Sequence, residues 1–170
     1  MKEGERMKAQ QTKKKIIDTS RKIFIDKGLT SVTMTDIVSA SGYSRGGVYR
    51  YYQNPEMIFA DLMIEEMNNL KEKYGNTTFN EYLDNEAHEL KNIRKTLRMA
   101  GYEYMIHFPE ASQLGEMIYQ SNIDTIMKLR KCSEREANRV FLIIEGLTVM
   151  ALTGILNENR MEESLKELRI

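Results

Sequence analysis

One cysteine, two prolines and no tryptophan are spread over 170 residues, and each shortage excludes something. A single thiol, Cys132, can neither close a disulfide within the chain nor build a structural zinc site. Two Pro and ten Gly set the composition far from disordered or collagen-like chains and suit long helices. The start, MKEGERMKAQQTKKK, is polar and basic with no apolar run behind it, so no secretory leader and a reducing, cytoplasmic setting are expected. Net charge is missing too: 25 Lys/Arg against 25 Asp/Glu give +0. What is present is 41% hydrophobic and 29% charged residues, the balance of a globular protein, and a chain of this length buries roughly 70% of its unfolded surface. Twelve methionines add an adaptable interior.

The neutral total hides an asymmetry. Residues 1 to 51 hold 11 basic and 5 acidic side chains, a net of +6, which leaves −6 on the other 119. A basic head on an acidic body points to a polyanion at the N-terminal end. On charge alone, a solvated tail carrying Lys13, Lys14 and Lys15 accounts for it equally well.

Apolar residues recur at three and four along the whole chain, so it reads as helical throughout. Ile16, Ile17, Ile23 and Phe24 share one face of a first helix that ends before Gly28. Thr33 with Asp36 predicts a capping box for a short second helix broken at Ser41-Gly42, and Ser44 caps a third from Arg45 to about Gln53. Asn54-Pro55 opens a fourth helix to Gly75. Thr78 with Glu81 opens a fifth with a thin apolar side. The stretch Ile93 to Phe108 is rich in Leu, Met and Tyr, and Pro109 marks the start of a helix to about Arg130. Ser133 with Glu136 opens the most apolar helix, Val140 to Leu156, which is marginal as a membrane span with Glu145 inside it. A final amphipathic helix carries Met161, Leu165 and Leu168.

Residues 33 to 52 have the grammar of a helix-turn-helix. The second of its helices, SRGGVYRYYQ, is odd, because two adjacent glycines each cost about 1 kcal/mol against Ala. Gly46 and Gly47 remove side chains where another surface can approach, Arg45 and Arg50 supply donors, Tyr49 and Tyr51 supply phenols, and Val48 and Tyr52 can turn inward. Such a helix suits a major groove, where Arg reads guanine edges and hydroxyls bond phosphates. The plainer alternative is a helical hairpin whose tyrosines pack.

The run from Ile16 through Leu62, with F-x-x-x-G at Phe24 to Gly28, T-M-T-D-I at Thr33 to Ile37 and S-G-Y-S-R-G-G-V-Y-R-Y-Y at Ser41 to Tyr52, resembles the tetracycline-repressor (TetR) family of bacterial transcriptional regulators. The resemblance implies an all-α homodimer with a three-helix DNA-binding domain, residues 1–54, and a helical effector-binding and dimerisation domain, residues 55–170. It implies that Thr33 caps the second helix near phosphate, that Tyr49 bonds the DNA backbone, and that Arg45, Gly46, Gly47, Arg50 and Tyr51 contact bases or phosphates. With Ser44, Lys13, Lys14 and Lys15 these complete the expected DNA-binding set. Many members carry a lysine after the recognition helix where this chain has Pro55; that contact is lost or supplied by Lys13 to Lys15.

A reader of palindromic DNA needs a two-fold partner. Val140, Ile143, Ile144, Leu147, Ala151 and Ile155 are the expected dimer face, joined by the last helix in a four-helix interface; the plain alternative is the subunit's own core. Met99, Tyr102, Glu103, Ile106, Met117, Tyr119 and Met127 are the expected lining of an effector pocket, in which a buried Glu103 or Glu116 would favour a cation. The G-x-S-x-G at Gly42 to Gly46 lacks the strand and partner histidine of a hydrolase elbow, and neither His88 nor His107 has the Glu-x-x-His spacing of a bundle metal site. The expected function is therefore a DNA-binding transcriptional regulator, a repressor released from a palindromic operator by a small-molecule effector. No enzyme activity, cofactor, metal or membrane partner is expected. The competing reading is a helical ligand-binding or protein-interaction module with a basic N-terminal arm.

Overall fold

The computed structural model describes residues 3–108 and 111–169. Every regular element among them is helical: α1 (Glu3–Lys27), α2 (Met34–Ser41), α3 (Arg45–Tyr49), α4 (Pro55–Lys73), α5 (Phe79–Lys91), a 3-10 turn (Ile93–Lys95), α6 (Arg98–His107), α7 (Ala111–Arg130), α8 (Glu134–Thr153) and α9 (Glu158–Leu168). The fold is all-α, as the periodicity requires. The start expected at Pro109 lies outside the described residues.

Local chemistry sets most boundaries. Capping boxes with both legs formed open α2 at Thr33, α5 at Thr78 and α8 at Ser133, and each satisfies two backbone donors the helix cannot satisfy itself. The third helix is shorter than its pattern, ending at Tyr49 rather than near Gln53. There the N–H of Tyr51 donates to the Val48 carbonyl at 2.9 Å, tightening the last turn, and Asn54 Oδ1 accepts from the Met57 N–H at 3.0 Å to begin α4. Asn54 cannot continue a helix into Pro55, whose ring disfavours helical backbone in the residue before it. The stretch from Ile93 is likewise not one helix. Thr96 is extended, and its hydroxyl donates to the Ile93 carbonyl at 2.8 Å, so a 3-10 turn closes before α6 starts. The apolar side of α5 is fuller than expected, with Phe79, Tyr82, Leu83 and Leu90 all buried.

The described residues fall into two compact units, one within Met1–Glu66 and Leu97–Pro109, the other within Met67–Thr96 and Glu110–Ile170. In the first, Ile16, Phe24, Leu29, Ile37, Val48, Tyr52, Ile58, Phe59 and Leu62 form the interior, together with Ala100 and Tyr104 from α6. Phe24 meets Phe59 edge-on at 5.1 Å, and Phe59 lies 5.5 Å from Tyr104. Aromatic pairs of this kind add about 0.5–1.5 kcal/mol beyond the area they bury. The head unit therefore contains α1 to α3, the first half of α4, and α6.

In the second unit Tyr74, Phe79, Tyr82, Leu83 and Leu90 pack with Ile123 and Ile126 of α7, Val140, Ile144 and Leu147 of α8, and Met161, Leu165 and Leu168 of α9. This corrects the expected dimer stripe. Val140, Ile144 and Leu147 are spent in the subunit's own core, Ala151 packs partly against it, and only Ile143 and Ile155 remain exposed. The apolar residues of α9 are also internal, and its outer positions carry Glu158, Arg160, Glu162, Glu163, Lys166 and Glu167. A helix whose sequence is apolar nearly all round gives no local sign of which side its neighbours will cover.

Candidate nucleic-acid interface

The local geometry of α2 and α3 is built from short-range bonds. The Thr33 hydroxyl accepts from the Asp36 N–H at 3.2 Å and donates to Asp36 Oδ2 at 2.8 Å, while the Thr33 N–H donates to the same oxygen at 2.9 Å. Lys27 Nζ holds the other oxygen at 2.6 Å. The Lys27 ammonium, followed by the two Thr33 donors, keeps the Asp36 carboxyl at about 2 against an ordinary 3.8. Gly42 ends α2 with φ +71°, a left-handed conformation that costs other residues about 1–2 kcal/mol. Ser44 then opens α3, its Oγ accepting from the Gly47 N–H at 3.2 Å.

α3 is anchored by its inner face. Val48 and Tyr52 are buried, as their four-residue spacing predicted. The Tyr52 hydroxyl donates to Asp61 Oδ2 at 2.8 Å, and burial together with that carboxylate pushes the phenol above the usual tyrosine range. The outer face is different. Arg45 and Gly46 are exposed, and a Cβ on Gly46 would meet nothing within 4 Å. On Gly47 it would lie 3.3 Å from the Ser44 Oγ, tight against the cap. The Arg45 guanidinium sits 5.3 Å from the Tyr49 ring centre and that of Arg50 6.0 Å from Tyr51. Cations laid on phenols keep their charge in solvent while the ring limits their freedom.

Lys13, Lys14 and Lys15 of α1 differ in their partners. Lys14 binds Asp18 and Glu65, which raise its pKa. Lys13 lies 3.7 Å from Asp61 and 5.2 Å from the Tyr52 ring centre. Lys15 rests over Tyr43 at 5.1 Å. Of the expected DNA-binding cations, Lys15, Arg45 and Arg50 thus have no carboxylate partner among the described residues, whereas Lys13 and Lys14 are matched by α4. Thr33 likewise uses both its donors on Asp36. The acids Asp61 and Glu65, spaced by four along one face of α4, were the available sign of this pairing.

The residues expected to line a pocket are divided between the two units. In the first unit Met99 and Ile106 are exposed and Tyr102 is half-buried. Glu103 is committed elsewhere: its carboxylate accepts from the Leu29 N–H and, at 3.0 Å, from the Thr30 N–H. It thereby holds the turn between α1 and α2. In the second unit Met117 is exposed, Tyr119 donates to Asn138 Oδ1, and Met127 packs on the core. Glu116 is exposed. Ser44 is an N-cap, and no group of three His, Cys, Asp or Glu able to hold a metal occurs among the described residues. No helix among them is long and apolar enough to cross a membrane.

Two short capped helices joined at a glycine turn, with a cationic outer edge, have the form of a helix-turn-helix. The sequence pattern of "Bacterial regulatory proteins, tetR family" matches residues 16–62, so the N-terminal stretch of the chain is similar to that family. It is 28% identical over 99 residues to the uncharacterised HTH-type transcriptional regulator YfiR of Bacillus subtilis, a match covering 54% of this chain and 48% of that one. It is 26% identical over 57 residues to the HTH-type transcriptional regulator AcrR of Shigella flexneri, covering 34% and 26%. These matches thus span half or less of the curated relatives' length. Two solved structures share the fold: GusR of Salmonella enterica (14% identity, TM-score 0.67, 93% of each chain) and NalD of Pseudomonas aeruginosa, a secondary repressor of the MexAB-OprM efflux pump (17%, 0.59, 95% of each).

Proposed function

We propose that the chain is a homodimeric, sequence-specific transcriptional repressor, with residues 1–54 reading a palindromic operator and residues 55–170 serving effector binding and dimerisation. The observation that carries this is the outer edge of α3. Gly46 has open space where its Cβ would be, so its own fold does not require a glycine that costs about 1 kcal/mol of helix stability. Its benefit then lies outside the molecule, where a bare backbone lets a second surface come close. Arg45 and Arg50 on either side make that surface polyanionic, and Tyr49 and Ser44 add hydroxyls suited to phosphate.

Two such edges reach successive major grooves when a dimer holds them about 34 Å apart. The outward face of α8 suits the dimer. Leu142 is 67% exposed and Val149 46%, with Ile143 beside them and Gly146 between them. An effector that binds a conformation with another spacing would release the operator by no more than its differential affinity. The reading places the protein in the cytoplasm.

The test starts with duplexes selected from a randomised pool, which should converge on a palindrome. Tyr49→Phe should weaken binding to selected and random duplex alike. Arg45→Ala should cost about 1–3 kcal/mol at one base pair in each half-site. Selection of no sequence, or wild-type binding by both variants, overturns the reading.

A further inference from the structure

Within the second unit, the chain leaving α5 turns through the 3-10 segment opposite the end of α8 and the start of α9, and a cavity of about 510 Å³ lies between them. Small-molecule sites span about 300–1,000 Å³, so its size is suitable. The cavity's lining is divided chemically. Leu90, Ile93 and Met161 are buried, and Ala151 and Leu156 half-buried, giving apolar walls. Lys91, Arg94, Lys95 and Glu158 are exposed and form the rim. Lys91 Nζ pairs with Glu158 Oε1 at 3.0 Å, while Arg94 and Lys95 have no ion pair among the described residues. One acid therefore offsets one of three cations, and two remain beside an apolar hollow. The start of α9, capped by Asn157 Oδ1 on the Arg160 N–H at 2.9 Å, adds the positive end of a helix dipole.

We propose that this groove binds a small organic anion with an apolar body, such as a carboxylate on a short aryl or alkyl chain. Resting on the regulator reading above, it is the site at which such a molecule acts as effector. The apolar part lies against Met161, Ile93 and Ala151, and the carboxylate meets the Arg94 guanidinium, which can take it through two parallel N–H donors, and the Lys95 ammonium. A neutral molecule of the same shape leaves these cations nothing to bind, and a cation meets their repulsion. This differs from the cationic effector that a buried Glu103 or Glu116 would have favoured.

The probe is 4-phenylbutyrate, titrated calorimetrically into the full chain, with 4-phenylbutanol as the neutral counterpart. Methyl-labelled methionine spectra locate the site, the Met161 signal being assigned by Met161→Leu. The acid should saturate one site per chain and shift the Met161 signal while leaving Met7 unmoved, and the alcohol should bind about tenfold or more weakly. Arg94→Ala with Lys95→Ala, both on exposed positions, should weaken the acid about tenfold, the loss of at least one charge-assisted hydrogen bond. Ala151→Phe should fill the hollow and block binding, with circular dichroism checking that it stays folded. Absent saturation, equal affinity for acid and alcohol, or an unchanged double variant overturns the site. Saturation with unchanged duplex affinity supports the anion site and overturns its effector role. Failure to select any duplex overturns the regulator reading and leaves the groove result standing.

Discussion

The Glu103 carboxylate and Gly28 meet at one point, which makes their energies separable. Glu103 accepts from the Leu29 and Thr30 N–H groups from 74 and 73 residues away. Leu29 is buried, so its N–H has little recourse to water when the acceptor is removed. An unsatisfied buried donor costs about 1–3 kcal/mol, and Glu103→Ala should destabilise the head by about 2 kcal/mol. Gly28 lies at φ +74°, and a Cβ there would sit 2.7 Å from both carboxylate oxygens. Gly28→Ala should therefore incur the left-handed penalty of about 1–2 kcal/mol and also displace the carboxylate from its donors, costing about 1–3 kcal/mol more. Once Glu103 is already alanine, only the first cost remains. The double variant should thus be about 1–3 kcal/mol more stable than the sum of the single losses requires, a coupling of the size seen for residues in contact. Urea unfolding followed through the tyrosine signal, with exchange of the Leu29 and Thr30 amides, measures both. Strictly additive losses, or a Glu103→Ala variant within about 0.5 kcal/mol of wild type, would refute the reasoning.

Gly46→Ala should gain about 0.5–1 kcal/mol of stability, since the added methyl has open space on a helix, yet lose duplex affinity. A melt and a duplex titration check the pair, and unchanged affinity would remove Gly46 from the interface. Asp36 is held at about 2 against 3.8, so its contribution is complete above 3.8 and fades as pH falls through about 2. The gap in urea midpoint between wild type and Asp36→Asn should narrow over that window, and a gap that widened toward acid would contradict the assignment. Leu142→Arg with Val149→Arg should leave the subunit folded and convert a dimer to a monomer in sedimentation, whereas Leu147→Ala should cost about 2–5 kcal/mol of stability. The opposite pattern would mean that the two faces of α8 have been exchanged.

What could be read from the chain alone was whatever lies within about four residues of its cause. Thr33 with Asp36, Thr78 with Glu81, Ser133 with Glu136, and the glycine after α2 all act through bonds that a helix end makes with itself. The inward turn of Val48 and Tyr52 follows from their spacing. Hence the all-helical class, the helix-turn-helix and its cationic edge are legible in the sequence alone. Three further things depended on which elements meet. Lys13 and Lys14 of α1 look available until Asp61 and Glu65 of α4 are beside them. Glu103 looks like a pocket wall until α6 carries it to the turn after α1. The apolar helix α8 offered two plausible faces, and packing against α5, α7 and α9 determined which one became interior. Hydrogen bonds at helix ends are local and survive any arrangement of neighbours, whereas burial and charge pairing belong to a residue's surroundings, which only the assembled fold supplies.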